Sequence, residues 1–363
     1  MKKLEVKKVR DLGPQFTDNV HRMVGQDGAY SIPLSKKTLW FFGDTLIGER
    51  PTEGSLWYVG EESIKPGELA EGWDRIDEII SNTGLLLKHN LGSKGFTDFK
   101  YICDEYGNIK QLVKPLPDEN FVKERIWCLH GFPLNNKLYL FYQKVEIIED
   151  ETNLFPVSFN VIGTGLSVGD TTNWDFTRLV LRGSTIVWPG NQPQFGAVSF
   201  KMYEEERIYL YGVLLDHMTG IQNCYLARVR WDDVEDFSSY EYLVNDVPTW
   251  SPDVYNANPI FTGPPNELSV SRNDYLGCFL AVHSNNITGE IVARTTDHLW
   301  GSWSPPILLY KAERLVKNPL PYPPLIYAAK EHPELAKKGG KILYITYIEF
   351  EEYYPHLLEV ELT

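Results

Sequence analysis

Positive charge is in short supply. Against 49 Asp and Glu stand 35 Lys and Arg, a formal net charge of -14, and no cluster of basic residues relieves it. Such a chain repels phosphate backbones and anionic lipid, so neither nucleic acid nor a membrane surface is expected as a partner. Long apolar runs are missing as well. Nothing approaches the length of a membrane span, and the opening Met1-Lys2-Lys3-Leu4-Glu5 lacks the apolar core of a secretory signal, which reads as a cytoplasmic protein. Cysteine is rare: Cys103, Cys128, Cys224 and Cys278 are too far apart for a disulfide framework or a metal-ligand set and read as reduced, mostly buried thiols. Helix signals are few, the best being one turn over residues 333–339 ending on glycine. Several reaction classes lack their motifs: there is no Gly-x-Ser-x-Gly elbow, no phosphate-cradling loop followed by Lys, and no His-Glu-x-x-His helix. No cofactor is required by what remains. A structural calcium ion would be compatible with so many carboxylates, but no spacing specifies one.

What the chain does have is aromatic and turn-forming residues. With 13% aromatics, including 21 Tyr and 10 Trp, alongside 28 Gly and 23 Pro, it has the composition of many short strands joined by turns. Its 363 residues exceed what one ordinary core supports, so the chain either splits or repeats a unit around an axis. Five hairpins recur. Residues 29–34 lead through a polar turn into 39–42, 126–129 into 138–142, 195–200 into 208–211, 268–270 into 278–282, and 325–329 into 342–347. A third strand follows each, and a tryptophan-bearing edge strand often comes next, as at 174–179 and 300–304.

Four strands per unit, repeated radially, make an all-β, five-bladed β-propeller with antiparallel blades in one domain. The surplus length falls in loops, the largest at residues 52–78, expected to overhang the first blade. Spare strands at 4–9 and 357–362 are expected to meet in one blade and close the ring, which removes an exposed edge. Two stacked β-sandwiches are the alternative, against which the regular hairpin spacing weighs.

In a propeller the start of a blade's innermost strand and the end of the next strand lie on one rim. In the first unit those places hold Gln26-Asp27-Gly28 and Gly43-Asp44-Thr45, two acids delivered to one face with glycines that let a ligand approach the backbone. Paired carboxyls are what sugar hydrolysis needs, one protonated to donate to the leaving oxygen and one ionised to attack or to activate water. The plainer reading makes both turn residues whose side chains bond nearby amides. Other units place Glu267, Gln194 and His130 on the same rim, with Glu267 as a third acid; Glu331, beside Lys330 and His332, falls nearer the opposite end. Trp57, Trp188 and Trp250 are candidate platforms for sugar rings, while Trp40 and Trp127, inside strands, read as core. Asp232-Asp233 and Glu351-Glu352 read as solvated surface.

The run Gly25-Gln26-Asp27-Gly28-Ala29-Tyr30-Ser31-Ile32-Pro33-Leu34, followed by Leu39-Trp40-Phe41-Phe42-Gly43-Asp44-Thr45, resembles the opening blade of a propeller family first catalogued as a domain of unknown function and later linked to endo-D-arabinanase activity. Glu267-Leu268-Ser269-Val270 resembles that family's later Glu-plus-strand element. More broadly the chain is similar to five-bladed furanosidase and arabinanase propellers. The resemblance implies a glycoside hydrolase with an oligosaccharide substrate, Asp27 and Asp44 as its acidic pair and Glu267 as a further acid. The missing signal departs from secreted members and suits a short imported oligosaccharide. A non-catalytic sugar-binding propeller would not need two acids on the axis, and a glycoside phosphorylase would need a basic pocket starting from Arg22 or Arg125.

Overall fold

A computed structural model describes residues 2–50, 55–57, 75–88, 91–92, 95–148, 157–245, 247–314 and 324–363. Most of the expected loop at 52–78 therefore lies outside the described residues. Every extended helix is absent among them, and the only helical pieces are single 3-10 turns such as Pro333–Leu335 and Lys338–Gly340. Among the described residues no helix is long and apolar enough to cross a membrane.

Five antiparallel sheets carry the architecture, each begun by one of the expected hairpins. The first runs Tyr30–Pro33, Thr38–Phe42, Thr83–Leu87, Phe99–Tyr101. The second is Glu124–Leu134, Lys137–Ile148, Ser158–Gly169, Phe176–Arg178, with Trp188–Pro189 paired to its third strand. The third begins Gln194–Met202, Arg207–Asp216, Ile221–Arg230 and continues through Glu241–Asn245 to Thr249–Ser251. The fourth is Leu268–Asn273, Cys278–Ser284, Glu290–Thr296, Ile307–Lys311. The fifth is Ile326–Glu331, Ile342–Glu349, Pro355–Leu362 and, at its edge, Val6–Pro14. The expected four strands thus hold for three sheets, and the other two carry extra edge pieces. In the fourth sheet the edge strand is Ile307–Lys311, displaced from the tryptophan-bearing 300–304.

Leu39, Trp40, Phe41 and Phe42 are all buried, as is every residue of Cys278–Ser284, because each of these strands has a neighbouring sheet on both faces and no solvent side on which polar residues could alternate. The first strands pack in chain order, Tyr30–Pro33 against Glu124–Leu134, that against Gln194–Met202, then Leu268–Asn273, then Ile326–Glu331. This succession is unlike two stacked sandwiches. The amino- and carboxyl-terminal strands pair as expected, Arg10 opposite Glu359 and Val9 opposite Val360. The outer face of Val6–Pro14 is charged, and its Lys7 and Arg10 reach across to Glu361 and Glu359 at 2.8 and 2.6 Å. Such charges discourage further strand pairing at an open edge.

Candidate active site

The hairpin that opens the first sheet does not run as one ladder. Tyr30–Pro33 pairs with Thr38–Phe42, and beyond them a separate small sheet pairs Met23–Gln26 with Thr45–Gly48, Gln26 standing opposite Thr45. Asp27 and Asp44 occupy the gap between the two ladders. There Gly28 and Ala29 take positive φ angles of 80° and 60°, a bulge that turns side chains out of the sheet. A side chain at Gly28 would place its Cβ 2.4 Å from Cys128 Sγ, and one at Gly43 would strike Asp27 Oδ1 at 2.5 Å, so Gly28 admits the second sheet and Gly43 the Asp27 side chain at this distance. The Asp27 amide donates to the Asp44 carbonyl at 3.3 Å, and the Gly43 amide donates to the Asp27 carbonyl at 3.0 Å.

Enclosure raises the acidity range of both carboxyls. Asp27 is pushed up to about 6, chiefly by loss of water, against the pull of hydrogen bonds from Tyr327 and Tyr353 and the charge of Lys330. Asp44 is pushed up to about 7 by loss of water and then by the charge of Asp27, with Arg125 and the Trp127 indole opposing. The partners of the two acids differ. The Tyr327 hydroxyl donates to Asp27 Oδ2 at 2.9 Å, whereas Asp44 Oδ1 and Trp127 Nε1, though near enough for the indole to favour the Asp44 carboxylate, are buried with no hydrogen bond of ordinary length. Buried polar atoms left this way are what a bound hydroxyl would satisfy.

Glu267 immediately precedes the first strand of the fourth sheet and stands 3.8 Å from the ammonium of Lys330. Burial, then Lys330 pulling downward and Asp27 pushing upward, leaves the Glu267 carboxyl at about 7. Cys128, from the second sheet, feels Asp27, Lys330 and Glu267, and burial holds its thiol well above the usual range. All four cysteines are free and three are buried, as their spacing implied.

The remaining sequence candidates divide. His130 is in the axial wall, its Nε2 3.2 Å from the Ser31 carbonyl and its Nδ1 accepting from the Ser199 amide at 2.9 Å; burial drives it down to about 4, so it is a neutral fixed imidazole. Gln26 is fully buried and turned into the first sheet, where it accepts from Tyr101 at 3.0 Å. Gln194 is buried at the start of its strand, and its amide donates to the Pro189 and Gln192 carbonyls. Glu331 accepts from Ser271 at 2.7 Å inside the axis, and burial raises it to about 7.

Trp40 is core as expected, fully buried, but the other tryptophans depart from expectation. Trp188 is 1% exposed, walled by aromatic rings and bound to the Tyr242 hydroxyl, so it is core. Trp57 is 4% exposed and donates to the Phe350 carbonyl. Trp250 sits on an outer strand of the third sheet beneath Arg228. None of these three faces the acids, and Trp127, which its strand position assigns to the core, does.

Glu351 and Glu352 also depart from expectation: Glu351 is buried and accepts from Ser55, and Glu352 pairs with His356, because the turn that carries them packs against the small sheet of Met23–Gln26 and Thr45–Gly48. Tyr327 and Tyr353 escaped sequence reasoning, whereas Lys330, named beside Glu331, and Arg125, named as the start of a basic pocket, are found among the groups that act on the acids. Tyr327 carried a usable signal, for it heads the inner strand of the fifth repeat as Asp27 heads that of the first.

An axial cavity of about 540 Å³ is lined by the inner strands, including Ser31, His130, Ser199, Ser271, Glu331 and His332. Its lining also includes Lys330, 3.8 Å from Glu267, and Tyr30 beneath that ammonium, so the cavity adjoins the acid cluster. Among the described residues no group of three or more His, Cys, Asp or Glu side chains is placed to hold a metal ion.

Five hairpin-led antiparallel sheets whose first strands pack in chain order give an all-β fold that the chain shares with solved hydrolases. The chain belongs to the family described as a domain of unknown function, DUF4185, whose pattern matches residues 13–359. Among solved structures it is similar to a putative hydrolase from Bacteroides ovatus at 15% identity, with a TM-score of 0.60 over 97% of this chain and 87% of that one. A family 117 glycoside hydrolase produced by Zobellia galactanivorans is 11% identical, with a TM-score of 0.51 over 98% and 90%. An endo-arabinase from Bacteroides thetaiotaomicron is 11% identical, with a TM-score of 0.50 over 95% and 98%. No curated protein matches the chain.

Proposed function

We propose that the protein is a five-bladed propeller, closed by its terminal strands, that hydrolyses a furanoside-type, arabinan-like oligosaccharide with Asp27 and Asp44 as its acid pair. One observation carries the reading: a single bulged hairpin sets two enclosed carboxyls side by side with unequal surroundings. Asp27, with tyrosine hydroxyls donating to it and Lys330 nearby, is the carboxylate. Asp44, raised by burial and by the charge of Asp27, keeps the proton. Like charges this close do not both ionise near neutrality. The Asp44 proton passes to the glycosidic oxygen as its bond to the anomeric carbon breaks, and Asp27 directs the electron pair that replaces it, its own or that of water. The endo-arabinase that shares the fold supports the choice of sugar, as does the opening-blade resemblance.

The test is a screen of wild type, Asp27→Asn and Asp44→Asn on aryl furanosides, aryl pyranosides and arabino-oligosaccharides. Turnover of a furanoside by wild type that falls by about 10² to 10⁴ in each variant is expected. Folded protein inert on the whole panel, or variants as active as wild type, refutes the reading.

A further inference from the structure

Trp57 does not face the acids, and Glu351 is buried where a surface charge was expected, yet the two meet on one turn. Residues 350–354 join Ile342–Glu349 to Pro355–Leu362 in the fifth sheet, and Ser55, Leu56 and Trp57 lie against them. The Ser55 hydroxyl donates to Glu351 Oε2 at 2.8 Å, the Leu56 amide to the Glu351 carbonyl at 2.7 Å, and the Trp57 indole to the Phe350 carbonyl at 2.7 Å. The Trp57 ring stacks on Phe350 at 5.1 Å and meets Tyr353 edge-on at 5.2 Å. Three consecutive buried residues thus grip one turn by main chain, side chain and ring.

That turn also bears on the strand that delivers Asp27. The Tyr353 carbonyl accepts from the Gln26 amide at 2.7 Å, one residue before Asp27. A Cβ at Gly25 would stand 2.9 Å from the Tyr353 ring and 3.1 Å from Leu56, so Gly25 is the flat seat on which both rest. Tyr353 itself has a φ of 58°, a left-handed conformation that a bulky side chain keeps only where its surroundings impose it. Its hydroxyl hydrogen-bonds the Asp27 carboxyl beside that of Tyr327, which donates to Oδ2 at 2.9 Å and packs against the same cluster as Trp57.

We propose that Trp57 is a positioning residue that, with Ser55, holds Tyr353 in its left-handed conformation and through it sets the place of Asp27. This deepens the hydrolase reading and rests on it for the catalytic meaning of that place. The path is short. The ring and the indole bond fix the turn, the Tyr353 carbonyl fixes Gln26, and Asp27 follows by one peptide. Because the Asp27 amide is bonded to the Asp44 carbonyl, a slack turn reaches both acids. Trp57 therefore acts on the site from behind Tyr353 and not as a platform for a sugar ring.

The experiment follows the Asp27 carboxyl by carbon-13 NMR of protein labelled at the aspartate carboxyl, the signal assigned by its loss in D27N. Trp57→Phe keeps a ring but loses the bond to Phe350, and Ser55→Ala loses the bond to Glu351. Each should raise the Asp27 midpoint by about half a pH unit, since hydrogen bonds donated to a carboxylate favour its ionised form and a slack turn weakens them. Water admitted by loosened packing lowers the midpoint of a buried carboxyl, so the sign separates positioning from packing. Tyr353→Phe should raise it too, and Trp57→Phe should add nothing in that background. A midpoint unmoved or lowered in folded W57F, or additive shifts in the double variant, overturns the proposal, and S55A decides on the same terms if W57F does not fold. On a substrate found by the screen, W57F should lower kcat about tenfold and leave KM within about twofold, and a change in KM alone also overturns it. The titration needs no substrate. Protein inert in the glycoside screen therefore removes the hydrolase reading without touching this result, and an unmoved midpoint in active W57F removes the proposal alone.

Discussion

The backbone amide of Asp27 donates to the carbonyl of Asp44 at 3.3 Å, tying two carboxyl-bearing residues together where one β-ladder stops and the next begins. Because the tether is main chain, the pair is held by the hairpin itself and does not depend on side-chain packing for its spacing. The side chains are then free to be differentiated by what surrounds them, Tyr327 and Tyr353 on one, Trp127 and Arg125 on the other.

That differentiation fixes a pH profile. Activity needs Asp27 ionised and Asp44 protonated, so kcat/KM should rise with pH as Asp27 loses its proton near 6 and fall as Asp44 loses its own near 7. The expected profile is a narrow bell, its limbs belonging to the coupled pair and not to either residue alone. Initial rates measured from pH 4 to 9 on the substrate found by the screen check this. A plateau extending above pH 8 would show that no protonated acid of this pair takes part.

The tryptophans give a second expectation. Trp188→Ala empties a fully enclosed aromatic site and orphans the Tyr242 hydroxyl, so it should cost about 3–5 kcal/mol of stability. Trp188→Phe, which keeps most of the volume, should leave KM unchanged. Trp127→Ala should do the reverse, raising KM roughly tenfold with a smaller loss of stability, because its ring is partly open and stands beside Asp44. Thermal melts and steady-state kinetics on the three variants separate the roles, and equal KM values in W127A and wild type would remove Trp127 from the site.

How much of this was readable in the chain follows from distance along it. Asp27 and Asp44 belong to one hairpin, and the glycines at 28 and 43 mark the close approach, so local pattern was enough to bring them together. The five hairpins were legible for the same reason, since each is a local pairing. Tyr327 reaches Asp27 from 300 positions away, and Lys330 reaches Glu267 only because the fifth and fourth inner strands pack side by side. Nothing local distinguishes such a lysine from a solvated one. Trp188 and Trp127 were exchanged because both lie in apolar strands, and which face a side chain takes depends on bulges, such as the shift between Cys128 and Gly131, that carry no clear sequence mark. The Glu351-Glu352 run misled for a related reason: its charges look solvated until the buried Ser55 hydroxyl and the His356 ring are placed against them.

His356 leads to the last expectation, at the seam of the terminal strands. It is 3% exposed in Pro355–Leu362, pairs with Glu352, and stands 3.7 Å from Asp11 Oδ1 on Val6–Pro14, the strand that joins the amino terminus to the fifth sheet. Burial disfavours its charge, but the hydrogen bond it donates to Glu352 and the negative charges of Glu352 and Asp11 outweigh that and raise it to about 9. A histidine raised above its unfolded value of about 6.5 contributes stability that is fully present below that pH and is lost as pH climbs through the folded value. His356→Gln should therefore destabilise the protein by about 1–3 kcal/mol at pH 6 and by much less at pH 10, where the wild-type imidazole is itself neutral. Urea unfolding of both proteins at the two pH values measures the difference. A gap that stays constant with pH would mean that His356 acts through packing, and that the contact between the two ends of the chain is not held by charge.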